Sequence, residues 1–242
     1  MKIFSNTNIG LVRNSNQDAY AFGIVSDNCC WSVVCDGMGG ANGGNVASEI
    51  AVNTAQTILK EKMQESLTED ELIELSSVCI SKANTNVFAK AFDEPSLKGM
   101  GTTMIVTLVN GDDICISHVG DSRVYRFSDD KVVQITQDHS YVQELVNRGE
   151  ITKETARVHP HRNIITRSVG IHSTVEIDSA LIKANAKDLI ILCSDGLSSY
   201  LTEEDFERII KDNEIENLCD VLIEFALKKG GADNITVSVI SI

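Results

Sequence analysis

The chain has 242 residues, of which 43% are hydrophobic, and it carries a formal net charge of −14. This hydrophobic content can form a large core and argues against a disordered chain. The acidity and the absence of a basic run argue against nucleic-acid binding. No run of about 18 apolar residues occurs, and the N-terminus lacks the apolar stretch of a signal peptide. We therefore expect a cytoplasmic protein with no membrane span.

The seven cysteines contain no Cys-x-x-Cys pair. Cys35, Cys115 and Cys193 lie inside apolar, strand-like runs, where cysteine behaves as a small hydrophobic residue. We expect free thiols in a reducing compartment.

Strand-like segments come in blocks separated by turn signals rather than in strict alternation with helices. This order favours antiparallel sheets and an α+β fold over a parallel, doubly wound sheet. Asn110-Gly111 is the strongest of the hairpin signals. Strands are predicted at 19–25, 31–36, 103–109, 114–119, 123–127, 131–135, 175–182, 188–193 and 234–240.

Helices are predicted between the blocks of strands. The first begins near Asn45, because apolar residues then recur at helical spacing. The second begins at Thr68, where Thr-x-x-Glu fits a capping box, and ends at Pro95. Two further helices are predicted to begin near Thr202 and Glu214.

The segment from 138 to 170 has a different texture, with polar and short helical pieces that interrupt the strands. It contains a basic cluster and is interpreted as an insertion over a site rather than a core element. The cluster consists of Arg157, His159, His161, Arg162 and Arg167.

Asp36, Asp121, Asp195 and Asp233 each lie next to an apolar run and a turn residue. One such aspartate usually marks only a tight turn, but four suggest a shared metal site. Carboxylate and carbonyl oxygens suit Mg²⁺ or Mn²⁺, and no His/Cys cluster has zinc spacing. Asp36 is the best candidate to bridge two ions, because Gly37 beside it can offer a bare backbone carbonyl.

Arg13 precedes Asn16-Gln17-Asp18 near the N-terminus. A single arginine there is ordinarily a solvated surface charge, but a guanidinium is also suited to binding a phosphate with two hydrogen bonds. Its placement favours the second interpretation.

Seven short motifs follow one another across nearly the whole chain, and the ordered set is far more specific than any one of them. Together they resemble the bacterial branch of the metal-dependent (type 2C) serine/threonine protein phosphatases. The motifs are Arg13 with Asn16-Gln17-Asp18-Ala19, Asp36-Gly37-Met38-Gly39-Gly40, Gly101-Thr102-Thr103, His118-Val119-Gly120-Asp121-Ser122-Arg123, His159-Pro160 with Arg162-Asn163 and Arg167, Ser194-Asp195-Gly196-Leu197, and Gly231-Ala232-Asp233-Asn234.

The resemblance implies an α+β fold of two antiparallel β-sheets packed face to face, with helices on both outer faces. It implies one catalytic domain over residues 1–242, with a flap at about 138–170. It also implies two Mn²⁺ or Mg²⁺ ions between the sheets and a third, weaker site in bacterial members.

The site residues implied by the resemblance fall into three groups. Asp36 would bridge the two ions, while the Gly37 carbonyl, Asp195 and Asp233 would complete the ligand set. Asp121 would join Asp195 at the third ion. Arg13 would hold the substrate phosphate, and the residues supporting these ligands from behind would be Asp18, Gln17 and Asn234.

Two positions depart from many relatives. Gln17 stands where many members have a glutamate. The glutamine keeps an acceptor oxygen but lacks the negative charge. Met38 stands where many eukaryotic members have a histidine that is proposed to protonate the leaving group. A water on the metals is then the first candidate acid, and His159 or His161 the second, although both histidines also fit ordinary surface placement.

The implied activity is hydrolysis of phosphoserine and phosphothreonine on proteins by a metal-activated water, without a phosphoenzyme. The expected partners are phosphorylated proteins, including a bacterial Ser/Thr kinase and its targets, and we expect a monomer. Three alternatives stay open: a catalytically weak phosphoprotein-binding module, a stress-signalling phosphatase acting on anti-sigma-factor antagonists, and a two-metal nuclease or phosphodiesterase.

Overall fold

The computed structural model describes residues 1–39 and 43–242. Gly40, the last residue of the Asp-Gly-Met-Gly-Gly motif, lies outside the described residues. The strands within the described part are β1 (Lys2–Asn8), β2 (Asp18–Ser26), β3 (Cys29–Met38), β4 (Gly101–Thr102), β5 (Met104–Asn110), β6 (Asp113–Val119), β7 (Arg123–Ser128), β8 (Lys131–Gln134), β9 (Asp178–Lys183), β10 (Leu189–Cys193) and β11 (Ile235–Ser241).

These strands form two sheets whose strand pairs are all antiparallel, as the sequence predicted. One sheet has the order β1-β11-β10-β7-β8, and the other has the order β2-β3-β5-β6-β9, with β4 pairing to β3. The first and last strands of the chain are therefore neighbours.

Helices cover the outer face of each sheet. Their bounds are α1 (Gly44–Lys62), α2 (Glu69–Asp93), α3 (Tyr141–Asn147), α4 (Lys153–Arg157), α5 (Asp195–Ser198), α6 (Glu203–Asp212) and α7 (Leu218–Lys228), with 3₁₀ turns at Pro95–Leu97 and Ile215–Asn217. None of the helices in the described residues has the length and apolar character needed to cross a membrane.

Strand β3 shows why the molecule has three layers of core. Trp31, Val33 and Cys35 point outward and pack with α1 and α2. Cys30 and Val34 point the other way, into the apolar layer between the sheets. Both faces are thus buried, which explains why this strand reads as an unbroken apolar run.

The second sheet is covered by α5, α6 and α7. Phe206 of α6 and Leu222 of α7 are fully buried against Val237 and Val239 of β11. Helices therefore lie on both outer faces of the sandwich, and the predicted fold class is confirmed.

Two helix starts follow their local signals. Thr68 accepts from the backbone N–H of Glu71, whose side chain accepts in return from the Thr68 N–H, and Thr202 forms the same box with Asp205. Such reciprocal bonds satisfy donors that the first helical turn leaves without partners. The seven cysteines are free and buried.

One strand and several boundaries were not predicted correctly. Strand β1 was missed because its second half, residues 5–8, is a run of four polar side chains, but Ser5 and Thr7 bond to Ser238 and Thr236 of β11. The hairpin after β5 turns at Gly111-Asp112 rather than at Asn110-Gly111.

Other strand and helix ends moved by a few residues. Strand β3 continues past Asp36 to Met38, because Gly37 and Met38 pair with β4. Residues 175–177 pack on the core without pairing, so β9 begins only at Asp178. The helix predicted at Glu214 starts with a 3₁₀ turn.

Candidate active site

Four strand ends, two from each sheet, converge on one cavity of about 720 Å³. Asp36 comes from β3, Asp121 follows β6, Asp195 follows β10, and Asp233 precedes β11. Arg13, from the loop between β1 and β2, lines the same cavity. The structure therefore brings together all four aspartates that the sequence analysis selected, although they are spread over most of the chain.

The backbone around Asp36 is fixed by two threonines. The Asp36 N–H donates to Thr103 Oγ1 at 2.9 Å, and the Asp36 carbonyl accepts from Thr103 N at 2.8 Å and from Thr102 Oγ1 at 2.9 Å. Because the peptide groups are held on both sides, the carboxylate is presented from a rigid base.

Gly37 is required for close packing. A Cβ atom at this position would overlap the Gly44 carbonyl at the start of α1 and would lie 2.6 Å from the Gln17 carbonyl. Its N–H donates to that Gln17 carbonyl at 3.1 Å. Two residues further on, Gly39 has a positive φ of +128°.

Asn234 holds the loop that carries Arg13. Its Nδ2 donates to the carbonyls of Ile9 at 2.9 Å and Ser15 at 3.0 Å, and its Oδ1 accepts from Gln17 N at 2.8 Å. The side chain is 5% exposed and is placed directly after Asp233. One asparagine therefore couples the N-terminal loop to the start of β11.

Arg13 reaches across this junction to an aspartate. Its Nη2 donates to Asp233 Oδ2 at 2.7 Å, and about half of its side chain is exposed to the cavity and solvent. The hydrogen bond and charge of Asp233 raise the pKa of Arg13, with smaller contributions from Asp195 and Asp36. The guanidinium is thus a permanent positive charge at the rim of an acidic site.

Asp18 lies behind the cavity, opposite Asp36 in the β2–β3 register. It is 9% exposed, and its Oδ2 accepts from Ser194 Oγ at 2.8 Å. Its Oδ1 is buried and has no hydrogen-bond partner among the described residues. Burial raises the pKa of Asp18 to about 7.

The carboxylates that line the cavity lie in an environment that disfavours their charged forms. Burial, followed by the neighbouring aspartates, raises the pKa of Asp36 well above its usual range, and burial together with Asp195 does the same to Asp121. Burial and Asp233 raise the pKa of Asp195 to about 6. Negative charge is concentrated here in a poorly solvated place, and a cation would relieve it.

The donor set fits a hard divalent cation. Carboxylates and the Gly37 carbonyl offer oxygen donors, and no described residue that lines the cavity is a histidine or cysteine. No group of three acidic, His or Cys side chains in the described ranges is gathered tightly enough to hold an ion alone. Ions with this preference complete such open sites with water, as Mg²⁺ commonly does.

The segment 138–170 forms the opposite side of the cavity, where Asn163 and Ile165 line it. His159 and His161 do not line it; they contact Tyr141 and each other within the segment. Their arrangement fits the surface placement that the sequence analysis weighed against an acid role.

Arg123, from the Gly-Asp-Ser-Arg motif, is not directed to a substrate. It binds Asp138 through Nε and Nη2, with contacts from 2.6 to 3.1 Å, and donates from Nη1 to the hydroxyl of Tyr125. This pair holds the first residue of segment 138–170 to β7. The pair was not predicted from the sequence, since Arg123 and Asp138 lie 15 positions apart with no local signal that joins them.

Comparisons with known proteins agree with this architecture. A family model described as protein phosphatase 2C matches residues 12–220. The serine/threonine phosphatase stp of Listeria innocua is 38% identical over 232 residues, which are 96% of this chain and 92% of that protein.

Two solved structures carry the comparison into three dimensions. Stp1 from Staphylococcus aureus superposes with a TM-score of 0.92 at 33% identity, covering 100% of this chain and 94% of that one. The catalytic domain of PstP, in complex with 2 manganese ions, gives a TM-score of 0.85 at 33% identity, covering 98% of this chain and 96% of that one.

The sandwich fold and these relatives define the class of enzyme as a phosphoric monoester hydrolase that acts on proteins. The chain belongs to the bacterial protein phosphatase 2C family of metal-dependent serine/threonine phosphatases. The resemblance inferred from the motifs is thereby confirmed, and phosphorylated proteins are its substrates.

Proposed function

We propose that the four-aspartate cavity is the catalytic centre and that two or three Mn²⁺ or Mg²⁺ ions occupy it during turnover. The observation that carries this proposal is the convergence of Asp36, Asp121, Asp195 and Asp233, from four separate chain segments, on one cavity with Arg13 at its rim. Ionised carboxylates that lie this close together in a poorly solvated cavity require compensating positive charge, which bound cations or protons supply.

Each carboxylate has a distinct place in this proposal. Asp36, at the rigid end of β3, would be a ligand shared by two ions, and the Gly37 carbonyl, Asp195 and Asp233 would complete the first pair of sites. Asp121 and Asp195 would hold the third, weaker ion. When bound, such ions lower the pKa of water and neutralise charge on phosphoryl oxygens.

The chain's own residues then bind and orient the substrate. Arg13 donates hydrogen bonds to two phosphate oxygens, since its guanidinium presents parallel donors and keeps its charge at any physiological pH. Asn234 keeps Arg13 in place through three hydrogen bonds to the loop. Asp18 and Gln17 support the ligands from behind the cavity floor.

Met38 lines the cavity but carries no proton to donate. The leaving serine or threonine oxygen is therefore protonated from water rather than from this position. The flap histidines do not replace it in this proposal, because His159 and His161 lie away from the described cavity lining.

We further propose that the enzyme reverses the action of a bacterial Ser/Thr kinase, on the kinase itself and on its targets. It would do so as a cytoplasmic monomer with one catalytic domain and a flap at about 138–170. The acidic composition, with a net charge of −14, supports a protein substrate over a nucleic acid.

The decisive experiment measures phosphate release from a panel of kinase-phosphorylated proteins, with Mn²⁺ and Mg²⁺ compared and a phosphodiester as the control substrate. We expect release from phosphoserine and phosphothreonine that is abolished by EDTA and restored by excess Mn²⁺. Turnover that continues in EDTA would refute the metal centre. Release from the diester alone would refute the assignment of substrate.

A further inference from the structure

His139 holds the residue that precedes Asp121. Its backbone N–H donates to the Gly120 carbonyl at 3.0 Å, and its ring Nδ1 accepts from the Gly120 N–H at 3.1 Å. Both peptide groups of Gly120 are therefore bonded to one residue that lies 19 positions away. The ring is 6% exposed, so these bonds are shielded from water.

Gly120 adopts a conformation that depends on such support. Its φ is +107°, and a Cβ atom there would lie 2.6 Å from Thr103 Cβ. Only glycine fits this turn, which takes the chain out of β6 and directs Asp121 into the cavity. Thr103 also bonds to Asp36 and to Ser122, so both metal-site carboxylates share one connected backbone unit.

The other edge of the His139 ring faces a charged pair. Nε2 lies 3.2 Å from Asp178 Oδ2, and Asp178 Oδ1 accepts from Arg167 Nη1 at 2.7 Å. Because Nδ1 accepts from Gly120, the ring proton resides on Nε2, where it can be donated to Asp178. Burial and the neighbouring His118 lower the pKa of His139, which keeps the ring neutral.

His118 supports this orientation from the side. The two imidazole rings stack with centroids 4.6 Å apart, and His118 Nε2 lies 2.9 Å from the Gln137 carbonyl. The ring of His139 is consequently confined by a stacking partner and by a hydrogen bond at each nitrogen.

His139 also joins the two ends of segment 138–170. Its carbonyl accepts from Thr166 N at 2.8 Å, and the next residue, Ser140, bridges to Ile165. The start and the end of the segment thus meet at His139, the residue that binds Gly120.

We propose that His139 is a positioning residue that fixes Gly120, and through it Asp121, to the base of segment 138–170. This inference rests on the proposed role of Asp121 as a metal ligand. It assigns a defined function to a buried histidine that is not among the residues lining the cavity, and it explains how the flap base and the weaker metal site are connected.

The first test uses the wild-type holoenzyme loaded with diamagnetic Mg²⁺. A nitrogen–nitrogen coupling across the Gly120 N–H···Nδ1 hydrogen bond, together with an Nε2-protonated ring in ¹⁵N spectra, is expected. Absence of the coupling, or a ring protonated at Nδ1, would overturn the inference without any variant.

The second test compares two substitutions that each retain one side of the ring. In His139→Asn, the Oδ1 acceptor is two bonds from Cβ, as Nδ1 is in histidine, so the bond to Gly120 can be kept. In His139→Gln, the terminal polar atoms are three bonds from Cβ, as Nε2 is, so only the contact with Asp178 can be kept. We expect His139→Gln to weaken the lowest-affinity Mn²⁺ site about tenfold by calorimetry, and His139→Asn to stay within about twofold of wild type. His172→Gln, an exposed histidine outside the site, is the matched control.

Asp121→Asn separates this inference from the proposed function. If Asp121→Asn weakens Mn²⁺ binding but both His139 variants bind as wild type, or are impaired equally, the positioning role is wrong. If Asp121→Asn leaves Mn²⁺ binding unchanged, Asp121 is not a ligand and both proposals about it fail. Thermal unfolding of each variant distinguishes lost positioning from a lost fold, and the wild-type coupling decides if His139→Gln does not fold.

Discussion

The two sides of the four-aspartate cavity are attached to the sandwich in different ways. The N-terminal side, the loop 9–17, is held by a buried side chain, Asn234, that bonds to the loop at three points. The flap side, segment 138–170, is held at its base by Arg123–Asp138 and by His139, while its tip is exposed.

The two sides also differ in the charge of the residues that they contribute to the cavity. The N-terminal side carries Arg13 and adjoins Asp233, and the phosphate binding proposed for Arg13 requires a geometry reproduced within a fraction of an ångström. The flap side contributes Asn163 and Ile165, neither of which is charged. The floor shared by both sides is formed by Asp36, Asp121, Asp195 and Asp233. We therefore expect substitutions on the N-terminal side or on this floor to reduce activity more than equivalent substitutions on the flap.

The largest effect is expected on the shared floor. Asp36→Asn should lower kcat about a thousand-fold, because metal ions supply several kcal/mol of transition-state stabilisation. Phosphate release from a phosphopeptide at saturating Mn²⁺ measures it. Asp27→Asn, at the exposed turn on the other end of β3, is the matched control and should behave as wild type. Equal activity of the two variants would remove Asp36 from the centre.

One arginine from each side gives the next comparison. Arg13→Ala should raise KM for a phosphomonoester about tenfold to a hundredfold, as expected for a lost charge-assisted hydrogen bond. Arg148→Ala, on the flap side, removes a side chain that pairs with half-buried Glu144 and exposed Glu150, and should change KM little. An unchanged KM for Arg13→Ala would mean that another group binds the phosphate.

Two asparagines, one that holds the N-terminal loop and one on the flap, test how firmly each side is attached to the sandwich. Asn234→Ala leaves two loop carbonyls and one amide without their partner, and should cost about 2–3 kcal/mol of unfolding free energy. KM should rise as well, because Arg13 loses its support. Asn163→Ala, which lines the cavity from the flap, should change the urea midpoint little. Equal losses for both variants would contradict the difference between the two sides.

The smallest effect concerns the acidic floor and its dependence on pH. Asp18 and Asp195 have folded pKa values raised to about 7 and about 6, against about 3.9 when unfolded. The native state then binds more protons, so without divalent ions these groups contribute less stability as pH rises through this window.

Added Mn²⁺ should offset that loss. We expect saturating Mn²⁺ to raise Tm by about 8 °C at pH 8 and by less at pH 5.5, where protons compete for the same oxygens. Differential scanning calorimetry with EDTA or Mn²⁺ measures both values. A Tm increase that grows on acidification would contradict cation binding at these carboxylates.

Two helix starts with local signals were predicted correctly from the sequence. The capping box predicted at Thr68 forms, and the helix predicted to begin near Thr202 starts with the same kind of box, which depends on residues three positions apart. The fold class followed from blocks of strands and from ordered motifs. Strand β1 was missed because its stabilising partners, such as Ser238, lie more than 200 positions away.

The contacts that support the site could not be predicted from neighbouring residues in the sequence either. Nothing near Asn234 in the sequence indicates that it binds Ile9, Ser15 and the Gln17 amide. Likewise, the reason for glycine at position 37 is the approach of Gly44, not only access to a carbonyl.

The sequence by itself determined which residues were available for chemistry: four aspartates beside apolar runs, one N-terminal arginine, and a methionine where a proton donor could have been. These depend on residue type and immediate neighbours. Only the tertiary structure decided that the four carboxylates share one cavity, that Asn234 holds the Arg13 loop, and that His139 holds Gly120. Such contacts join residues far apart in the chain, and their geometry is set by the packing of two sheets rather than by any local preference.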